Sequence, residues 1–463
     1  MRPIRIGLLG IGTVGGGTFT VLARNAEEIR RRAGRELRIT VVADKDTARA
    51  ERVIAAACAD ARATADARRT ADARVASDAL AAAEARITAD AFAVVADPAI
   101  DIVVELIGGY GVARELVLAA IAHGKHVVTA NKALLATHGN EIFAAAREKG
   151  VMVAFEGAVA GGIPIIKAVR EGLAANHIEW IAGIINGTSN FILSEMRERG
   201  VGFDAALAEA QRRGYAEADP TFDIEGIDAA HKITILSALA FGTPMQFQRA
   251  YTEGITRLAA LDIRYAGELG YRIKLLGITR RTPQGIELRV HPTLIPERRL
   301  IANVEGVMNA VLVKGDAVGP TLYYGAGAGA EPTASAVVAD LVDVARTLTA
   351  DPENRVPHLA FQADRISPLP ILPMEEVTTS YYLRMRVLDQ PGVLADIARI
   401  LADRSISIDA MVQKEPQEGE DQVDIIMLTH ETREKNINDA LARIEGLPVV
   451  MGRVTRIRLE SLL

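Results

Sequence analysis

The sequence predicts an α/β protein in three parts: an N-terminal doubly wound parallel sheet, an α+β middle domain and a small C-terminal domain of ferredoxin-like order. Three observations carry this. Apolar strands alternate with helical segments from Ile4 to Phe155. The first strand runs into Gly10-Ile11-Gly12-Thr13-Val14-Gly15. A proline-rich stretch, Pro352 to Pro373, precedes a final β-α-β-β-α-β pattern.

Ile4 to Leu9 reads as a buried parallel strand. The G-x-G-x-x-G that follows opens a helical segment, Gly16 to Arg32, and a second strand, Leu37 to Ala43, comes next. In such a unit Gly10 permits the tight turn, Gly12 admits a pyrophosphate and Gly15 lets helix and strand pack closely. The helix start, with Thr13 and Val14, faces the anion, which favours a Rossmann-like dinucleotide site over a purely structural glycine turn. The second strand ends at Asp44-Lys45-Asp46. Asp44 suits a ribose 2′-hydroxyl and NAD, while Lys45 suits a 2′-phosphate and NADP, so both cofactors stay open.

Ala48 to Asp90 is dominated by alanine, arginine and aspartate. One or two exposed helices without chemistry are expected there, because an alanine face buries little area. Further strands are expected at Ile100 to Leu106, His126 to Thr129 and Val151 to Phe155, with a helix from Ala113 to His123. The first two strands end at Gly108-Gly109 and at Asn131-Lys132, where ligands of doubly wound sheets bind. In Glu156-Gly157-Ala158-Val159-Ala160-Gly161-Gly162-Ile163 a carboxylate and a flexible glycine-rich turn could wrap carbonyl oxygens around a hard cation; sequence alone favours a plain turn before a helix, Ile165 to Leu173. A strand from His177 to Ile185 then reaches Asn186-Gly187-Thr188-Ser189-Asn190, whose polar residues suit the cap of a helix ending near Arg199.

Gly214 to Leu236 concentrates charge: Glu217, Asp219, Asp223, Glu225, Asp228 and Lys232 lie in a loop and the helix that follows. Asp228 and Lys232 are four apart and share a helix face. On spacing alone this is an ordinary ion pair. Arg272 to Tyr324 turns to strands, with a hairpin through Pro283-Gln284-Gly285, and a glycine-alanine run from Gly325 precedes a helix, Thr333 to Leu348. In the tail, Asp389-Gln390-Pro391-Gly392-Val393-Leu394 opens a helix whose free amides suit a small anion.

Composition excludes several classes. A net charge of −6 gives no basic field for nucleic acid or an anionic membrane. The one cysteine, Cys58, excludes an intrachain disulfide and a multi-cysteine metal site, and fits a reducing, cytoplasmic setting. The apolar start is short and glycine-broken, so it reads as a strand and not as a leader; no run is long enough to span a membrane. At 463 residues, about three domains are expected.

The segments GLLGIGTVGGG, ELIGG, VVTANKALLATHG, FEGAVAGGIPI, INGTSNFIL and GYAEADPTFDIEGIDAAHKITIL resemble, in order, the motifs of homoserine dehydrogenase. The tail resembles a ferredoxin-like ACT domain, a regulatory amino-acid-binding module. The resemblance implies NAD(P)H-dependent reduction of L-aspartate 4-semialdehyde to L-homoserine, in threonine and methionine biosynthesis. It implies that Lys232 donates the proton and Asp228 tunes it. Glu217 would bind the substrate amino group with Asp223 nearby, and Lys132 would sit beside nicotinamide and substrate. Gly214 and Gly325 would line the cofactor, and Glu156 with the carbonyls of Val159, Gly161 and Ile163 resembles a sodium site. The implied domains are 1–138 for the dinucleotide, completed by about 325–360; 139–324 for catalysis, substrate and dimerisation; a linker, 361–376; and 377–463 for regulation. A homodimer or homotetramer is implied, with threonine the expected effector; a tail serving only dimerisation is the alternative.

Overall fold

The computed structural model describes residues 2–67, 84–414 and 420–462. The chain forms two compact units, each built from separated stretches. The first comprises Met1–Ile181, His231–Gln248 and Met308–Pro368.

This first unit holds a six-stranded parallel sheet: Arg86–Thr88, Leu37–Ala43, Ile4–Leu9, Ile102–Glu105, His126–Thr129 and Val153–Ala154, in that spatial order. The chain order is 3-2-1-4-5-6, the doubly wound arrangement the motif predicted. The central strands are apolar on both faces because helices cover both: Ile6, Leu8, Val42, Val104 and Val128 pack with Phe19, Val337 and Leu341. Helix Thr13–Arg24 crosses helix Ala330–Thr347 closely. A Cβ on Gly17 would lie 2.5 Å from the Ala330 carbonyl oxygen, so only glycine permits that approach.

Several local expectations change. The helix expected over Gly16 to Arg32 is two, Thr13–Arg24 and Ala26–Ala33, broken at Asn25. The alanine-rich stretch starts as one helix, Thr47–Ala67, and its inner face is not exposed: Ala50, Ile54, Ala57 and Cys58 are buried. Small side chains let this helix approach closely and pack without large apolar residues. The part of that stretch from 68 to 83 lies outside the described residues. Its end forms a strand, Arg86–Thr88, where only helix was expected, and a helix, Ala91–Ala96, follows it.

The strand expected over Val151 to Phe155 is only Val153–Ala154. Two imidazoles account for its backbone. His126 Nδ1 accepts from the Met152 amide at 3.0 Å, and His358 Nε2 accepts from the Val153 amide at 3.0 Å. Burial pushes both rings down to about 4, so both are neutral acceptors near pH 7. The helix expected over Ile165 to Leu173 is a short α turn, Ile165–Lys167, continued as a π turn, Ala168–Gly172. Strands Met308–Gly315 and Gly319–Ala326 form an antiparallel pair.

The second unit comprises Ala182–Ala230, Arg249–Val307 and Leu369–Leu463. Its hairpin, Tyr271–Thr282 with Gly285–Pro296, turns at Pro283-Gln284, where Thr282 faces Gly285. The tail has strands Thr378–Leu388, Ile408–Gln413, Gln422–Thr429 and Val450–Leu459 with helices Val393–Ala402 and Glu434–Glu445. Its last strand flanks its first, which in turn flanks its third, as ferredoxin-like order requires.

The segment that the prolines were expected to set apart shares this unit with middle-domain residues. Strand Val450–Leu459 runs parallel to Gly285–Pro296 through Thr293 opposite Arg458 and Leu294 opposite Leu459. Buried charge reinforces the seam. Arg289 donates to Glu287 at 2.9 Å and to Glu460 at 2.6 Å. Arg458 pairs Glu434 at 2.5 Å and Glu253 at 2.7 Å. Buried charges are costly unless each has a partner, and here each does. Among the described residues no helix is long and apolar enough to cross a membrane.

Candidate active site

The glycine loop has the shape its sequence required. Gly10 sits at φ +88°, and a Cβ on Gly15 would lie 2.0 Å from the Gly10 carbonyl oxygen. Gly12 caps helix Thr13–Arg24 without a side-chain hydrogen bond, so side chains leave the first-turn amides open to an anion. Asp44, weighed as the ribose acceptor, already receives the Ile11 amide on Oδ2 at 2.8 Å and the Asp46 amide on Oδ1 at 3.0 Å. It ties the loop to the end of strand Leu37–Ala43. Lys45 is exposed beside it. Sequence reasoning passed over Arg49, whose Nη2 is 3.2 Å from where a Cβ on Gly12 would stand. Its signal was a cation one turn into the helix after that strand.

A buried carboxylate organises the strand ends. Glu105 is fully buried; its Oε1 accepts from the Ile107 amide at 2.9 Å and the Gly108 amide at 3.1 Å. Its Oε2 accepts from the Thr129 hydroxyl at 2.7 Å. Thr129 Oγ1 in turn accepts from the Asn131 amide, and Asn131 Nδ2 donates to the Gly109 carbonyl at 2.7 Å. Asn131 also caps helix Lys132–Glu148 by accepting from Leu134. The chain Glu105–Thr129–Asn131 therefore fixes where Lys132, first residue of that helix, leaves the sheet.

The turn after Phe155 is buried, and Glu156 is 2% exposed. Its Oε1 accepts from the Ile166 amide and its Oε2 from the Lys167 amide, both at 2.9 Å. The carboxylate thus anchors the helix that follows, which matches the plain-turn reading. Its own amide donates to Asp340 Oδ2 at 2.7 Å. Burial raises the Glu156 carboxyl and pushes Asp340 up to about 7, with Lys167 opposing the second shift. Ala160 and Gly161 have φ of +54° and +44°. The Ile163 carbonyl accepts from Ile165 at 2.7 Å. Among the described residues no hydrogen bond reaches the carbonyls of Val159 or Gly161. Gly325 packs here: a Cβ on it would meet the Ile163 side chain at 3.2 Å.

Helix Ile227–Phe241 carries both Asp228 and Lys232 one turn apart; they are 3% and 7% exposed. In the second unit the acidic loop is gathered by Asn186. Its Nδ2 donates to Asp223 Oδ1 at 2.7 Å and to Asp228 Oδ2 at 2.9 Å. Its Oδ1 accepts from the Ser189 amide at 2.8 Å, so the expected cap is present as well. Ser189 Oγ adds a bond to the Asp223 carbonyl at 2.9 Å. The sequence reading stopped at capping and missed the second face of this amide. Glu217 stays apart on an exposed loop after Gly214, whose φ is +73°. The Glu217 carbonyl accepts from Gln211 Nε2 at 3.1 Å.

The chain matches known families over most of its length. Residues 10–156 match the family model for the NAD-binding domain of homoserine dehydrogenase. Residues 164–342 match that for homoserine dehydrogenase, and 381–449 that for the ACT domain. A homoserine dehydrogenase of Pseudomonas aeruginosa is 61% identical over 462 residues, covering 100% of both chains. The crystal structure of a homoserine dehydrogenase from Thiobacillus denitrificans is 68% identical, with a TM-score of 0.90 over 100% of this chain and 99% of that one. A hyperthermophilic archaeal homoserine dehydrogenase in complex with NADPH is 25% identical, with a TM-score of 0.58 over 74% of this chain and 98% of that one.

Proposed function

The chain belongs to the homoserine dehydrogenase family, and from that premise we infer that it interconverts L-aspartate 4-semialdehyde and L-homoserine with a nicotinamide cofactor. This is a step in making threonine, methionine and isoleucine from aspartate. The observation that carries the residue-level reading is Asn186, which binds Asp223 and Asp228 together one turn before Lys232.

The glycine loop fits the cofactor: its first-turn amides carry no side-chain cap, and Gly12 leaves room for a backbone approach. Thr13, Val14 and Gly15 would hold the pyrophosphate, with Lys45 and Arg49 reading the ribose and Gly214 and Gly325 lining the site. Bound NAD(P)H supplies the hydride. The protein does the rest. Negative charge grows on the aldehyde oxygen as the reduction proceeds, and the Lys232 ammonium stabilises it and gives it a proton. Asp228 orients Lys232 and favours its charged form. Glu217 pairs the substrate ammonium, and Asp223 adds negative potential beside it. Lys132 sits beside both the nicotinamide and the substrate.

A sodium ion at the 156–163 turn would be held by main-chain oxygens, with Val159 and Gly161 the best supported. Glu156 would act there through its backbone, since its carboxylate is already bound. Ile163 is the weaker donor, because its carbonyl accepts from Ile165. We assign the protein to the cytoplasm as a homodimer or homotetramer, with threonine acting through the ACT domain. The domain limits proposed from the motifs, 1–138, 139–324, 361–376 and 377–463, stand beside the two interleaved units as a functional division. Initial rates with L-homoserine and each oxidised cofactor test the reading. Homoserine-dependent reduction of at least one of them is expected, and none with either would refute it.

A further inference from the structure

A cavity of about 290 Å³ lies in the second unit, lined by Glu225, Tyr251, Glu253, Thr256, Arg257 and Arg456. Two of its four charges already have partners. Glu253 Oε2 accepts from the Tyr251 hydroxyl at 2.7 Å and from Arg458 at 2.7 Å. Arg456 pairs Glu434 at 2.9 Å. Two do not. Glu225 Oε1 accepts from the Thr256 hydroxyl at 3.0 Å, and among the described residues that carboxylate has no ion pair. Arg257 is exposed, and among the described residues its guanidinium has neither ion pair nor hydrogen bond. The cavity thus offers one uncompensated carboxylate and one uncompensated guanidinium, in a space below the usual size of a drug pocket.

We propose that this cavity binds a free L-α-amino acid, with Glu225 taking the ammonium and Arg257 the carboxylate. A zwitterion supplies both missing charges at once, and guanidinium–carboxylate pairing is directional. Neither a simple anion nor a simple cation satisfies both groups.

The position gives the ligand leverage. Glu225 lies between Asp223 and Asp228, the carboxylates that Asn186 binds together. The Ile224 carbonyl accepts from the Ile255 amide at 2.8 Å, and a Cβ on Gly254 would lie 2.3 Å from that oxygen. The loop therefore rests directly on the cavity wall. Arg456 comes from the last strand of the ACT domain, Val450–Leu459. An amino acid here touches both the substrate-binding loop and the regulatory module, and binding coupled to either is reciprocal. The leverage rests on the dehydrogenase reading above; the binding does not.

The test is calorimetric titration of the full chain with L-methionine, L-isoleucine and L-serine, threonine being the ligand assigned to the ACT domain. N-acetyl and carboxamide forms of any binder serve as controls. Variants Glu225→Gln, Arg257→Gln and Asp389→Asn are compared, the last altering the first turn of the ACT domain. The expected result is binding weakened at least about tenfold by Glu225→Gln and by Arg257→Gln, as loss of one charged partner predicts. Binding should also be lost with both modified ligands and stay within about twofold in Asp389→Asn. Binding of none of the three, binding unmoved by both cavity variants, or loss in Asp389→Asn alone would overturn the proposal. Homoserine turnover in the same preparations tests the dehydrogenase reading separately, since Arg257→Gln leaves the reacting groups intact.

Discussion

The Asn186 amide nitrogen donates to the Asp228 carboxylate at 2.9 Å while donating to Asp223 at 2.7 Å. One side chain thereby holds two carboxylates that would otherwise repel. Asn186→Ala removes both donors and the cap on Ser189. It should lower kcat/KM for homoserine by at least about tenfold and cost about 1 kcal/mol of stability. A variant with wild-type kcat/KM would show that the two aspartates need no such partner.

Glu217 is exposed on its loop. If it pairs the substrate ammonium, Glu217→Gln should raise KM for homoserine much more than KM for the cofactor. Steady-state kinetics with each substrate varied decide this. Equal effects would point to a role in loop structure.

Cofactor choice should follow the cations and not Asp44, whose carboxylate already receives two backbone amides. Lys45→Ala and Arg49→Ala should each raise Kd for NADP more than for NAD, read by fluorescence titration. Parallel changes in both cofactors would remove the 2′-phosphate from the account.

Asp340 provides a pH signature. Its folded pKa is pushed from 3.8 up to about 7, so between those values the folded state holds a proton that the unfolded state has lost. Its contribution to stability is therefore full below about pH 4 and falls as pH rises toward 7, by at most about 1.4 kcal/mol per pH unit. Asp340→Asn keeps an acceptor for the Glu156 amide and removes the titration. Denaturation midpoints of the variant relative to wild type should rise from pH 4 to 7. A constant difference would contradict the shift.

Five strands of the first sheet were legible because each is a short, largely apolar run and the turn after the first carries glycines at fixed offsets; Arg86–Thr88, with one isoleucine between polar residues, was not. The seam between the tail and the middle-domain hairpin was not legible. Arg458 and Thr293 are paired only by the fold, and so are the buried charges of Arg289 and Glu460. Asn186 was half legible, since a cap is a local event while its second face meets residues far along the chain. Helix Thr47–Ala67 was misjudged because area arguments undervalue alanine where close approach is possible. The Glu156 carboxylate accepts from the Ile166 amide, a contact that follows from the tight turn and that spacing alone does not show.

Lys232 is the group on which the chemistry turns. Lys232→Ala, purified and shown to be folded by near-ultraviolet circular dichroism, should be assayed for homoserine oxidation at saturating substrate and cofactor. The account predicts that kcat falls by at least about 100-fold, the scale of a lost general acid, while cofactor Kd stays near wild type. A folded variant with near-normal kcat would remove Lys232 from the proton transfer and contradict the mechanism.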